Sequence, residues 1–286
     1  MSIENAREAS GRVWLITGAS SGFGRSIAEA ALAAGDTVVA TARKPEALDD
    51  LVAAHPHRVS AVQLDVTDTA RVAAVVAEVM LWYGRIDVLV NNAGHSQIGA
   101  VEETTDREFR DLMDVHFFGP AALTRAVLPH MRDRRSGAIV QISSMGGQLS
   151  FAGFGAYSAT KFALEGMSEA LAGEVAPYGI KVLIVEPGAF RTSLFGGALY
   201  QSAAMDAYAE TVGPTRAMSA GAHGQQPGDP AKAAAAILTA LDAEKTPLRL
   251  PLGNDAVDAL VAHADVIRAE LREWEPLSRG TDFDDA

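Results

Sequence analysis

Apolar and polar positions alternate between two periods along the first two-thirds of the chain. Short apolar runs at 13–16, 37–41, 59–64, 88–90, 138–142 and 180–185 read as buried strands, and 248–252 adds a seventh. Between them the apolar positions fall at helical spacing. Residues 27–34 form one such stretch, closed by Gly35, and Pro45 opens another at a position where a helix tolerates proline. Val72, Val75, Val76 and Val79 follow Asp68, a capping residue. The span 106–132 is helical but holds Pro120 and Pro129, which predicts a bend or break. Further helices are expected at 156–176, after Asp229 and Pro230, and at 254–275.

Strands that alternate with helices make βαβ units, and runs apolar on both faces belong to a parallel sheet covered on both sides. Right-handed crossovers then give an α/β, doubly wound parallel sheet of about seven strands. No linker or repeat divides the chain, so 1–286 is expected to form one domain. The regularity fails between 188 and 228, where Gly, Ala, Ser and Pro dominate. A loop of that length in a compact domain is a lid or binding segment, with a short helix expected at 203–210. The end, 277–286, is acidic and expected to be flexible.

Composition narrows the partners. Of 286 residues, 36 are acidic and 24 basic, a net charge of −12. Such a chain suits neither a nucleic-acid backbone nor an anionic membrane surface, so any phosphate must be gripped locally. There is no cysteine, which excludes disulfides and thiolate sites, and no histidine or acid spacing suggests a metal. The N-terminal stretch, with Glu4, Arg7 and Glu8, lacks the apolar core of a signal peptide, and a cytoplasmic protein is expected.

The chemistry sits at strand ends. Thr17-Gly18-Ala19-Ser20-Ser21-Gly22-Phe23-Gly24 follows the first strand and opens the first helix. Gly18 allows the tight turn, Gly22 the approach of a pyrophosphate to helix N-terminal amides, and Gly24 close packing of helix on sheet. The second strand ends Ala40-Thr41-Ala42-Arg43-Lys44, with no acid to bind ribose hydroxyls. Arg43 matches a 2′-phosphate instead, which predicts NADP over NAD. The alternative for Arg43 is a solvated surface charge. Tyr157 and Lys161, four apart, share a helix face, and a nearby ammonium favours the phenolate. Ser144, Asn92, Pro187 and Thr192 lie at or just beyond the carboxyl ends of the strands, where parallel sheets hold ligands.

Taken together, TGASSGFG at 17–24, LDVT at 64–67, NNAG at 91–94, ISS at 142–144, YSATK at 157–161 and EPGAFRT at 186–192 resemble the short-chain dehydrogenase/reductase family, in its single-domain, Rossmann-like branch. The resemblance implies roles. Tyr157 is the acid/base at a carbonyl or alcohol, Lys161 holds the nicotinamide ribose and depresses the Tyr157 pKa, and Ser144 binds the substrate oxygen. Gly18, Ser20, Ser21, Gly22, Phe23 and Gly24 surround the pyrophosphate and adenosine ribose. Arg43 takes the 2′-phosphate, Asp65 and Val66 the adenine, and Asn92, Ala93 and Gly94 line the central path. Pro187, Gly188 and Thr192 meet the nicotinamide, while Asn91 braces strands. It also implies a homodimer or homotetramer paired through helices carrying Phe109, Leu112, Phe117, Phe162, Leu164 and Met167.

One position departs. His116 stands where the family commonly has an asparagine whose carbonyl holds a water linked to the lysine. His116 is expected either to pack in place of that asparagine or to join the proton relay. His95 and Gln97 are candidates to touch substrate, against plain loop polarity. Phe151, Phe154, Phe190, Leu194, Phe195 and Leu199 form an apolar pocket or ordinary core. The expected function is NADP(H)-dependent reduction of a lipophilic ketone or aldehyde. The rivals are a cofactor-sensing regulator without turnover and an epimerase or dehydratase that recycles its cofactor.

Overall fold

The computed structural model describes residues 7, 9 and 11–283, apart from the Phe195 side chain. Seven strands form one parallel sheet in the order β3-β2-β1-β4-β6-β7-β9. They are β1 (Val13–Ile16), β2 (Thr37–Ala42), β3 (Val59–Gln63), β4 (Val88–Asn91), β6 (Gly137–Ile142), β7 (Ile180–Pro187) and β9 (Arg249–Leu252). Every expected strand is present, within two residues at each end. The order reverses at β1, which pairs with β2 on one side and β4 on the other. Both faces are covered because the strand side chains alternate. Trp14 and Ile16 pack into one core, with Ile27, Ala31 and Leu32 of α1 (Gly22–Ala33) and Ala234 and Ile237 of α8 (Pro230–Asp242). Val13 and Leu15 pack into the other. Their neighbours there come from α3 (Thr69–Tyr83), α5 (Gly119–Arg134) and α6 (Gly155–Val175).

Local chemistry sets the helix ends. Asp68 accepts from the Arg71 amide at 2.9 Å and Asp229 from the Ala231 amide at 2.8 Å, both side-chain caps. Thr105 and Glu108 form a reciprocal capping box at the start of α4 (Asp106–Met113). The expected break between 106 and 132 is a π turn, Asp114–Phe118, where the Gly119 amide reaches back to the Asp114 carbonyl. Pro120 contributes to it, because a residue without N–H offers nothing to the His116 carbonyl four positions back. Pro129 is accommodated inside α5.

The segment after β7 differs from expectation. No α-helix forms at 203–210, where Asp206–Tyr208 makes one 3₁₀ turn. The helix is α7 (Gly213–Ala222), with Pro214 in its first turn. A short strand, β8 (Leu199–Gln201), pairs in parallel with β5 (Ser96–Ile98), just beyond β4. Finally, α9 (Asn254–Arg279) runs past the expected end at 275, so the tail begins later than 277. Asp284, Asp285 and Ala286, like Glu4 and Glu8, lie outside the described residues. Among the described residues no helix is long and apolar enough to cross a membrane.

Candidate active site

The carboxyl ends of the strands open into one elongated cavity of about 330 Å³. Its walls include Gly18, Ser20, Ser21, Gly22, Phe23, Arg43, Asp65, Val66, Asn92, Ala93, Gly94, Ser144, Tyr157, Lys161, Pro187, Gly188 and Thr192. Gly24, expected among the wall residues, is not one of them. It lies beneath the turn, where a Cβ would fall 2.4 Å from the Gly18 carbonyl oxygen and 2.5 Å from Asn92 Nδ2. Its role is the close packing of helix on sheet.

Backbone geometry builds the end that holds the glycine turn. Gly18 and Gly22 have φ of +63° and +56°, a region that favours glycine. The Thr17 hydroxyl accepts from the amides of Asn92 and Ala93 at 2.9 and 3.0 Å, and Asn92 Nδ2 donates to the Thr17 carbonyl at 2.8 Å. These bonds fasten the turn to the end of β4. Asn91 Nδ2 donates to Gln141 Oε1 at 2.9 Å, the strand brace suggested by sequence. At the start of α1 the Ser21 side chain makes no capping bond, and no acid occupies the first turn. Its amides and positive dipole end therefore face an anion site without competition. Asp65 is held in an Asx turn by the Thr67 amide and hydroxyl, at 3.0 and 2.8 Å. Arg43 is exposed at the cavity wall, and no carboxylate of the described residues pairs with it. This cradle fits an extended dinucleotide with an additional phosphate near Arg43.

Toward the other end Tyr157 and Lys161 are both buried, at 8% and 7% exposure. Ser144 lies between strand and turn. Its Oγ accepts from the Gly146 amide at 3.0 Å and donates to the Pro187 carbonyl at 3.5 Å. Lys161 Nζ donates to the Ile142 carbonyl at 2.9 Å and lies 5.7 Å from the centre of the Tyr157 ring. Burial pushes the Tyr157 phenol up to about 12, opposed by the neighbouring Ser144 hydroxyl. Burial therefore outweighs any lowering of Tyr157 by the Lys161 ammonium, which is directed at a strand carbonyl. Burial also brings Lys161 itself down to about 8, opposed by the charge of Glu165.

His116 is 2% exposed and its hydrogen bonds fix its tautomer. The His95 amide donates to Nε2 at 3.1 Å, so Nε2 is the bare nitrogen. Nδ1 then carries the proton and donates to Thr160 Oγ1 at 2.9 Å, while the Thr160 hydroxyl donates to the Tyr157 carbonyl at 2.7 Å. The ring thus ties the loop after β4 to the helix that carries Tyr157. Gly94 permits this approach, because a Cβ there would lie 2.8 Å from His116 Nε2. Burial holds His116 well below the usual histidine value, and the Lys161 charge acts in the same direction.

Sequence reasoning missed Tyr200. It lines the cavity with its ring 4.7 Å from that of His95, which is 5.6 Å from His116, itself 5.6 Å from Tyr157. The β5–β8 pairing creates this wall, and nothing local in 190–228 signals it. Of the proposed apolar pocket, Phe190 and Leu194 line the cavity. Phe154 packs on Tyr157, Leu199 on a separate small core, and Phe151 is half exposed to solvent. Gln97 is buried and donates to Ser202, so it does not reach the cavity. No group of three or more metal-ligating side chains occurs among the described residues.

Comparison with known proteins follows the same geometry. The profile described as short chain dehydrogenase matches residues 12–201. The chain is 40% identical to Oxidoreductase BOA17 of Botryotinia fuckeliana, over 93% of this chain and 98% of that one. A crystal structure of a short-chain dehydrogenase from Streptomyces avermitilis superposes with a TM-score of 0.91 at 69% identity, covering 95% of this chain and all of the other. A short-chain dehydrogenase from Burkholderia cenocepacia, solved in complex with NADP, has a TM-score of 0.72 at 27% identity, covering 92% and 97%.

Proposed function

The chain belongs to the short-chain dehydrogenase family, and on that premise we propose an NADP(H)-dependent oxidoreductase that reduces a lipophilic ketone or aldehyde to the alcohol. One observation carries the reading: Ser144, Tyr157 and Lys161 meet in the same cavity that presents an unpaired-by-acid Arg43 at its wall. The NADP-bound Burkholderia relative supports the cofactor. Gly18, Ser20, Ser21, Gly22, Phe23, Asn92, Ala93 and Gly94 hold the pyrophosphate and riboses. Asp65 and Val66 flank the adenine, Arg43 takes the 2′-phosphate, and Pro187, Gly188 and Thr192 border the nicotinamide. The bound nicotinamide supplies the hydride chemistry.

The chain's own groups then handle the oxygen and the proton. Ser144 Oγ–H donates to the substrate oxygen and fixes its position beside Tyr157. The Tyr157 phenol gives its proton to that oxygen as charge develops there, and a phenol pushed up by burial remains fully protonated until that moment. Lys161, buried and lowered to about 8, stands ready beneath it as the charged neighbour that stabilises the phenolate left behind. His95, Leu194 and Tyr200 enclose the remainder of the substrate. Exposed Phe109, Phe118 and Phe162 on α4, the π turn and α6 support self-association as a homodimer or homotetramer, which sedimentation velocity decides.

The test is cofactor consumption by purified protein against a panel of ketones and aldehydes, with NADPH and NADH in parallel. Turnover with NADPH and weak turnover with NADH are expected. Tight NADPH binding without turnover of any carbonyl would favour the cofactor-sensing rival.

A further inference from the structure

Behind Lys161 lies a buried ionic cluster that the chemistry above leaves unused. Glu165 stands one helical turn beyond Lys161 on α6, Glu186 is next to last in β7, and Arg249 opens β9. Glu165 is 2% and Glu186 0% exposed. The Ser143 hydroxyl donates to Glu165 Oε1 at 2.5 Å, and the Gln148 amide to Glu186 Oε1 at 2.6 Å. Arg249 Nε lies 3.3 Å from Glu165 Oε2 and 3.3 Å from Glu186 Oε1, while its far end pairs with the exposed Glu169 at 2.9 Å. The backbone is folded tightly on this group, since a Cβ on Gly147 would fall 1.9 Å from Glu165 Oε1.

Two details point to a proton here. Glu186 Oε2 is buried and accepts from no donor. Arg249 Nε also lies equally far, 3.3 Å, from one oxygen of each acid, so the two carboxyls face the same guanidinium. Two carboxylates have no proton to offer each other, so the orphan Glu186 oxygen gains a bonding role only when its carboxyl is protonated. Among the described residues one guanidinium serves both acids, and it is shared with a third. Burying two anions under such a partial counter-charge costs more than protonating one of them.

We propose that Glu165 and Glu186 hold a single proton between them, and that Glu165 is a positioning residue whose charge keeps Lys161 an ammonium beneath the reacting tyrosine. The inference rests on the role given to Lys161 above. The proton resides on Glu186, whose orphan oxygen becomes a donor when protonated. Burial and the neighbouring Glu165 charge push Glu186 up to about 7. Lys161 feels Glu165 as the opposing influence to its own burial. The other charges facing the pair are Arg249 from β9 and Glu169 from α6, and the segment after β6 contributes only neutral Ser143 and Gln148. Asp255 of α9 is turned away, accepting from the Ala189 amide at 2.7 Å.

Glu165→Gln keeps the size of the side chain and its bond from Ser143. It is expected to move the alkaline limb of the kcat–pH profile down by about one pH unit. The ¹³Cε titration of Lys161, one of five lysines in the chain, should move with it. Glu186→Gln imitates the protonated carboxyl. It should leave the Lys161 titration nearly in place and abolish a carboxylic-acid infrared band that the wild type shows at mildly acid pH and loses above neutrality. Absence of that band from the wild type overturns the shared proton, and an unmoved Lys161 titration in Glu165→Gln overturns the positioning role. If Glu165→Gln does not fold, the wild-type infrared titration with Glu186→Gln decides the first point, and Glu165→Asp, which withdraws the charge from Lys161 without removing it, decides the second. Neither spectroscopic readout needs turnover, so a protein without reductase activity would refute the proposed function and leave this test standing.

Discussion

The two ends of the cavity are built by different means. The cofactor cradle is made from the ends of neighbouring sheet strands and fixed through backbone groups. Gly18 and Gly22 sit in left-handed conformations, and the Thr17 hydroxyl and Asn92 amide stitch the first turn to β4. The substrate end is closed by the 190–228 segment, held by the three-residue pairing of β8 with β5 in a separate two-stranded sheet and by an aromatic row from Tyr200 through His95. Backbone-built geometry tolerates little change at any position. Side-chain-built geometry can be altered residue by residue, which is where a family varies its substrates.

The largest expected effect falls where the two ends meet. Tyr157→Phe removes the proton that both halves serve, and a loss of about 10³-fold in kcat is expected from general acid catalysis. NADPH binding, followed by fluorescence titration, should change little, because the cradle is intact. Equal losses in binding and turnover would show that Tyr157 acts through the cradle instead.

At the cofactor end alone, Arg43→Glu places a carboxylate where the 2′-phosphate is expected. A rise of ~100-fold in KM for NADPH should result, with KM for NADH unchanged or lower. Parallel changes for both cofactors would make Arg43 a surface charge only. The next comparison uses two glycines. Gly24→Ala forces a methyl against the Gly18 carbonyl and Asn92 and should cost about 2 kcal/mol in urea unfolding. Gly197→Ala lines the same cavity at the substrate end, where a Cβ meets nothing within 4 Å, and should stay within about 0.5 kcal/mol. Similar costs at both sites would erase the contrast between the ends.

Legibility in the sequence follows the same division. Most of the sheet strands were readable because a parallel strand buried on both faces is a continuous apolar run, as in VWLI and TVVATA; β9, half-buried at the sheet edge, carries a weaker signal. The cradle motifs were readable because each lies at a strand end with a demanding backbone; their residues line one cavity, with Gly24 beneath it in the helix-on-sheet packing that its place in the motif suggests. Tyr200 and the β5–β8 pairing were not, since their partners lie about a hundred residues apart and three-residue strands leave no period. The Glu165–Glu186 pair was hidden for a related reason. Each acid occupies an ordinary helix or strand position, and only the packing of α6 against β7 and β9 brings them together. The direction of the Tyr157 shift was also beyond reach, because it depends on how deeply the phenol is buried rather than on the spacing of four.

His116 is where the two ends are joined, and its substitution should produce the smallest effect. Its Nε2 already accepts the His95 amide and its Nδ1–H already donates to Thr160, so a second proton would have to displace a backbone donor in a buried site. The ring is therefore a neutral strut and not a proton carrier. His116→Asn keeps an acceptor in the π turn, and less than about a 10-fold loss of kcat is expected, with pH–rate profiles of unchanged shape. The sign on stability is different and measurable. A histidine held below its ordinary value of 6.5 contributes stability that is present above that pH and is lost as pH falls toward its folded value. Wild-type Tm should accordingly drop more steeply below pH 6.5 than that of His116→Asn. A neutral inflection in the wild-type rate profile that vanishes in the variant would instead make His116 a member of the proton path, and the tautomer fixed by the His95 amide would be wrong.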